Sequence, residues 1–184
     1  FAEKGGHAPG KQAGKEAGMP VAVQLFLDTK QSALIRHIWQ SLADIGVSHM
    51  IDCQSVPHVT LAIWDEVDTE AYSDIAPEYA AFWTDYKFSF SHIGVFPSTH
   101  TIFGAPAVNR ELVDKHALLF RTIEGTRSEL TDYYVPGRWN PHCTLATEFD
   151  DAQWNSVMDT CRRKWQPFTT GVEALAGIEF GNGP

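Results

Sequence analysis

Two of the eight histidines in this chain stand in the same hexapeptide. Residues 57–62 read Pro57-His58-Val59-Thr60-Leu61-Ala62, and residues 141–146 read Pro141-His142-Cys143-Thr144-Leu145-Ala146. Five of the six positions are identical. A single H-x-T triplet carries no information, but the only two in the chain share their flanking Pro, Leu and Ala. Composition alone produces such a pair with odds on the order of one in 10⁵.

Placed on β-strands, residues i and i+2 share a face. His58, Thr60 and Ala62 then lie together, with Val59, Leu61 and Ile63 opposite. The second copy puts His142, Thr144 and Ala146 on one face, with Cys143 and Leu145 on the other. Each strand offers a ligand an imidazole, a hydroxyl and the space above an alanine, and keeps an apolar face for the core. Each proline suits the first residue of a strand, where its missing donor costs least.

Two such strands across a cleft suit phosphoryl chemistry. Imidazoles with a reference pKa of about 6.5 can hold opposite protonation states near neutral pH. The neutral one can take a proton from an attacking water or hydroxyl, and the protonated one can deliver a proton to the leaving oxygen. Thr60 and Thr144 can donate to the non-bridging phosphate oxygens. No cofactor is required. Zinc is the competing reading, but neither hexapeptide supplies a carboxylate or thiolate on the histidine face, so no metal ligand set is assigned.

The elements that must position these residues follow from hydrophobic periodicity. Val21 to Leu27 reads as a buried strand, and Thr29 to Ile45 as a helix that Gly46 can cap. A second strand runs from about Val56 to Trp64. A helix over Asp68 to Trp83 is interrupted near Pro77. Two strands, Lys87 to Phe96 and Thr101 to Ala105, flank a hairpin-like turn at Pro97-Ser98-Thr99. Asn109 caps a helix reaching about Thr126. An aromatic loop, Thr131 to Asn140, enters a strand over Pro141 to Phe149. Asp150 or Asp151 starts a helix through Cys161, and Phe168 to Phe180 holds the last strand or strands. A strand–helix–strand theme in each half predicts an α+β fold of two similar lobes, mainly antiparallel sheets with outer helices around a central cleft.

Composition narrows the surroundings. A chain of 184 residues, 43% hydrophobic and 20% charged, can bury a core as one domain. No apolar run approaches the roughly 18 residues of a membrane span. Cys53, Cys143 and Cys161 fit no zinc or C-x-x-C spacing, which favours reduced thiols and a cytoplasmic setting. A formal charge of −9 disfavours tracking along a long phosphate backbone and points to a nucleotide or short RNA. Residues 1–18, with Gly5, Gly6, Gly10, Gly14 and Gly18, have linker composition and read as a tag or disordered segment, leaving 19–184 as the domain. A monomer is expected.

The motif pair and the order of elements from Met19 to about Phe180 resemble the 2H phosphoesterase superfamily, which includes the 2′-5′ RNA ligase family and the 2′,3′-cyclic nucleotide phosphodiesterases. The resemblance implies two lobes with one H-x-[ST] motif each, and a metal-free reaction at a ribose 2′ or 3′ phosphate in the cleft between them. For a cyclic phosphodiesterase it implies water attack on a 2′,3′-cyclic phosphate, with His142 activating the water, His58 protonating the leaving O3′, and a 2′-phosphate released. It also implies a base-stacking aromatic near Phe96. Tyr133, Tyr134, Arg138 and Trp139, on the loop before the second motif, can bring rings to a base and a cation to a phosphate. Trp64 shares strand parity with His58 and is a candidate for the cleft floor. His92 and His100 are expected to be structural or superficial, and Arg162-Arg163-Lys164 a solvated helix end.

The leading expectation is a phosphodiesterase acting on a 2′,3′-cyclic phosphate or a 2′-5′ linkage. A 2′-5′ RNA ligase running the reverse reaction, and a catalytically silent module binding nucleotide or RNA ends, are the alternatives.

Overall fold

Strand β1, Val21–Leu27, alternates wholly buried residues with half-buried Gln24 and Phe26 over its second half. It leads into helix α1, Ala33–Ala43, which buries Ile35, Ile38, Trp39 and Leu42 along one stripe. Gly46 ends this segment at φ +86°, a left-handed conformation that costs glycine least. The amide of Val47 returns to the carbonyl of Leu42 at 2.9 Å, closing the helix end. The rest of the computed structural model, which describes residues 21–64, 77–122 and 132–179, runs α2 (His49–Asp52), β2 (His58–Trp64), α3 (residues 77–81) and β3 (Lys87–Phe96). Then come β4 (Thr101–Pro106), α4 (Arg110–Thr122), β5 (Cys143–Ala146), α5 (Trp154–Lys164) and β6 (Phe168–Glu179). The linker reading of residues 1–18, most of the helix expected from Asp68 and the end of the helix expected to reach Thr126 lie outside the described residues.

Local chemistry sets the helix starts. The Asn109 side chain accepts from the Leu112 amide at 2.8 Å. A reciprocal pair between Asp150 and Gln153 opens the short 3-10 turn that leads into α5. At the other end of α5, Arg162 and Arg163 pair with Asp159 and lie in solvent beside the carbonyl end of the helix.

All strand pairings are antiparallel, in the order β2-β1-β6-β3-β4-β5. The two expected sheets share β6. Its residues 168–171 pair with β3, and the remainder pairs with β1. Strands β2 and β5, which carry the two threonine-bearing motif halves, stand at opposite ends of this order yet lie close to each other in space. A continuous apolar core beneath includes Leu25, Ile38, Trp83, Phe88, Phe90 and Val157.

One expectation about the hexapeptides fails, and it fails the same way in both. Val23 pairs with Ala62 but the next residue, Gln24, pairs with Thr60, so Leu61 is an extra residue in β2. Ile102 pairs with Ala146 and Phe103 with Thr144, so Leu145 is the extra residue in β5. A bulge of one residue reverses the facing of everything beyond it. His58, Thr60, His142 and Thr144 stay half-buried, while Ala62 and Ala146 turn into the core at 0% exposure. Trp64 is inverted with them and is a core residue, not part of a cleft floor. The second motif's strand is also shorter than Pro141 to Phe149, because His142 immediately precedes β5 and the chain turns away after Ala146.

Candidate active site

The duplicated sequence produces duplicated hydrogen bonding. His58 Nδ1 lies 2.6 Å from the carbonyl of Val56, and His142 Nδ1 lies 2.7 Å from the carbonyl of Asn140. In both copies the partner is two residues back. A carbonyl only accepts, so each Nδ1 carries the proton and each Nε2 is the nitrogen left to exchange one.

Both imidazoles are held below the ordinary histidine pKa. Burial is the main cause at His58; the bond to Val56 works against it, and the charge of His142 adds to it. Burial is again the main cause at His142, opposed by the bond to Asn140. The two rings are therefore near enough that a proton on one disfavours a proton on the other. A second link joins the motifs: the backbone of His58 hydrogen-bonds the buried Cys143 thiol, whose pKa burial pushes up to about 12. Cys143 is buried where His142 and Thr144 on either side of it are half-buried, so it takes the opposite face of the strand and is inert as a thiolate.

Aromatic rings fix the imidazoles laterally. Phe26, opposite His58 in β1, meets that ring edge-on with centroids 6.3 Å apart. Phe96 and Phe103 pack on His142 at 5.0 and 5.2 Å and on each other at 4.2 Å.

Beside His142 and Thr144 opens a cavity of about 400 Å³. Phe96, Tyr134 and Trp139 give it an aromatic side, and Tyr133, 79% exposed, stands at its edge. Its polar side is neutral: Asn140 and a chain of hydroxyls in which Thr99 meets Thr101 at 3.0 Å and Thr101 meets Thr147 at 3.5 Å. His58 and Thr60 are not on this lining. Thr60 connects to it through Trp139, whose indole N–H donates to the carbonyl of Thr60 at 2.9 Å.

Of the sequence candidates, the structure brings His142, Thr144, Phe96, Tyr134 and Trp139 to one cavity, ties Thr60 to it through Trp139, and leaves His58 within electrostatic reach of His142. Arg138 is not brought there. It is exposed and paired with Asp132 at 2.9 Å. His92 meets Ser91, and His100 meets Asp151 at 3.2 Å between the rings of Phe149 and Trp154, both apart from the paired imidazoles. Among the described residues no three His, Cys, Asp or Glu side chains gather as metal ligands.

Sequence reasoning missed Trp39, whose indole N–H donates to the carbonyl of Thr144 at 3.1 Å. It also missed His116, stacked on Trp139 with centroids 3.9 Å apart and planes 5° from parallel. Its signal was a histidine at a core position of α4, between Leu112 and Leu119. His116 Nε2–H donates to the carbonyl of Leu61 at 3.0 Å, and burial pushes its pKa down to about 4 despite that bond.

The profile of the 2′-5′ RNA ligase superfamily matches residues 28–184. Two solved structures of Kluyveromyces marxianus Usb1 are similar, one of them with uridine monophosphate. That one is 11% identical, with a TM-score of 0.41, covering 89% of this chain and 99% of its own. The other is 10% identical, with a TM-score of 0.40 and the same coverage. No curated protein matches the chain.

Proposed function

Because the chain belongs to the 2′-5′ RNA ligase superfamily, we propose that it is a phosphodiesterase hydrolysing a 2′,3′-cyclic phosphate or a 2′-5′ phosphodiester in a nucleotide or short RNA, with His58 and His142 as its acid–base pair and no metal. The observation that carries this reading is the repetition of one atomic arrangement. Twice, a carbonyl two residues back holds Nδ1, Nε2 is left to act, and a half-buried threonine stands two residues ahead.

Hydrolysis of a 2′,3′-cyclic phosphate then runs as follows. His142 Nε2 takes a proton from water as the water oxygen bonds to phosphorus. The bond from phosphorus to O3′ breaks, and His58 Nε2–H gives its proton to that oxygen. The product is a 2′-phosphate, and the two histidines finish with their protonation states exchanged. Thr60 and Thr144 donate to the non-bridging oxygens, where charge accumulates. Burial favours two neutral imidazoles in the free protein. The negative phosphate offsets that preference on binding and supplies the field in which one ring takes up a proton. The neutral, partly aromatic cavity beside His142 suits the base and ribose. Tyr134 and Phe96 are its stacking candidates, and Arg138 in its present pairing is not a phosphate ligand.

The test is incubation in EDTA with 2′,3′-cyclic nucleotides and with 2′-5′ linked oligoadenylates, with the products identified. Hydrolysis that survives chelation supports the two-histidine route. Joining of RNA ends would show the same residues running in reverse. Activity restored only by zinc, or binding across the whole panel without turnover, would overturn the proposal.

A further inference from the structure

We propose that Trp39 and Trp139 are positioning residues for the phosphate-binding threonines, each supplied by the half of the chain that does not carry the threonine it holds. The inference rests on the reading of Thr60 and Thr144 as phosphate ligands and adds what aims them.

The geometry is reciprocal. Trp39, in the helix after β1, donates to the carbonyl of Thr144 at 3.1 Å. Trp139, in the loop before β5, donates to the carbonyl of Thr60 at 2.9 Å. Both threonines adjoin the bulged leucine of their hexapeptide, where regular pairing is interrupted and the strand twists more freely. An outside donor on that carbonyl fixes the threonine's peptide plane, and with it the direction of its hydroxyl.

Each donor is itself held. Trp39 is 4% exposed on the buried stripe of α1. Trp139 lies flat on His116, and His116 Nε2–H takes the next carbonyl of the same bulge, that of Leu61. Residues from α4 and the following loop therefore grip two successive carbonyls of the first motif. A residue from α1 grips the second motif. The contacts that dock the two halves on each other are thus the same ones that aim both hydroxyls.

The experiment measures binding of adenosine 2′-monophosphate by calorimetry to Trp39→Phe and Trp139→Phe, each alone and combined with Thr60→Ala or Thr144→Ala, with melting curves to establish folding. Phenylalanine keeps an aromatic ring and removes the N–H. Trp139→Phe is expected to weaken binding about tenfold in the unmodified background and in Thr144→Ala, but less than about twofold in Thr60→Ala. Trp39→Phe is expected to show the mirror image. A merely structural tryptophan would weaken binding equally in every background, and that result overturns the proposal. If a variant fails to fold, the indole N–H resonances of the unmodified protein decide. Those of Trp39 and Trp139 should shift on saturation with the nucleotide while that of Trp83 stays, and indole signals that do not move overturn the proposal. Full binding by Thr60→Ala and Thr144→Ala, or none by the unmodified protein, would instead defeat the phosphate reading beneath it.

Discussion

At the scale of single residues, His58 and His142 are the groups proposed to move protons. Replacing either by alanine is expected to lower turnover at least about 10²-fold while leaving the fold intact, since each ring is only half-buried. Near-normal rates with circular dichroism unchanged would remove that ring from the mechanism. The pH dependence carries a sign. Burial lowers both imidazole pKa values in the free protein, and kcat/KM follows those free-protein ionisations even though the acid takes up its proton as the phosphate binds. The optimum of kcat/KM should therefore fall below about pH 6.5, with that of kcat displaced upward by the charge of the bound phosphate. A kcat/KM profile peaking well above that value would contradict the assigned environment. The duplicated motif was legible because H-x-T occurs twice with the same neighbours. That Arg138 pairs with Asp132 was not legible, because a loop cation's partner cannot be seen in sequence.

At the scale of elements, the prediction of faces from strand parity held up to each bulge and failed past it. Nothing in Leu61 or Leu145 marks it as the extra residue, because a bulge is set by pairing with β1 and β4. Helix α4 shows a related limit. Its apolar periodicity was plain, but that His116 spans to Leu61 depends on how α4 docks. With its pKa pushed down to about 4, His116 stays neutral in the folded chain while the unfolded chain takes up a proton near 6.5. Its contribution is thus present above about pH 6.5 and lost as pH falls toward 4, an effect of about 3 kcal/mol. His116→Gln is expected to flatten the fall in chemical-denaturation stability across that window, and an unchanged slope would show that His116 is not the group responsible. Strand β3 contributes through Gly94, where an added Cβ would lie 2.3 Å from the Phe103 ring. Phe103 packs on His142, so Gly94→Ala should push one ring against the other. A displacement approaching 1 Å costs up to about 10² in rate. Full activity of this variant would show that Phe103 does not position His142.

At the scale of the whole molecule, the order β2-β1-β6-β3-β4-β5 separates the two motifs by the full width of the sheet, yet the sheet brings its end strands back together. The strand–helix–strand theme of each half was readable in the sequence. That β6 joins both halves was not, because one 12-residue strand changing partners midway has no signature of its own. The net charge of −9 belongs to this scale as well. Long duplexes should bind poorly, and affinity for a short substrate should change less with salt than counterion release from many phosphates demands. Titrating a 2′,3′-cyclic nucleotide and a long duplex across a salt series would check this, and tight, steeply salt-dependent duplex binding would refute it. The central claim is that imidazoles from the two halves flank one phosphorus, and a crystal structure with adenosine 2′-monophosphate tests it most directly. Nε2 of His58 and Nε2 of His142 are each expected within about 3.2 Å of an oxygen on the same phosphate. A phosphate touched by one ring alone, or bound elsewhere on the protein, would contradict it.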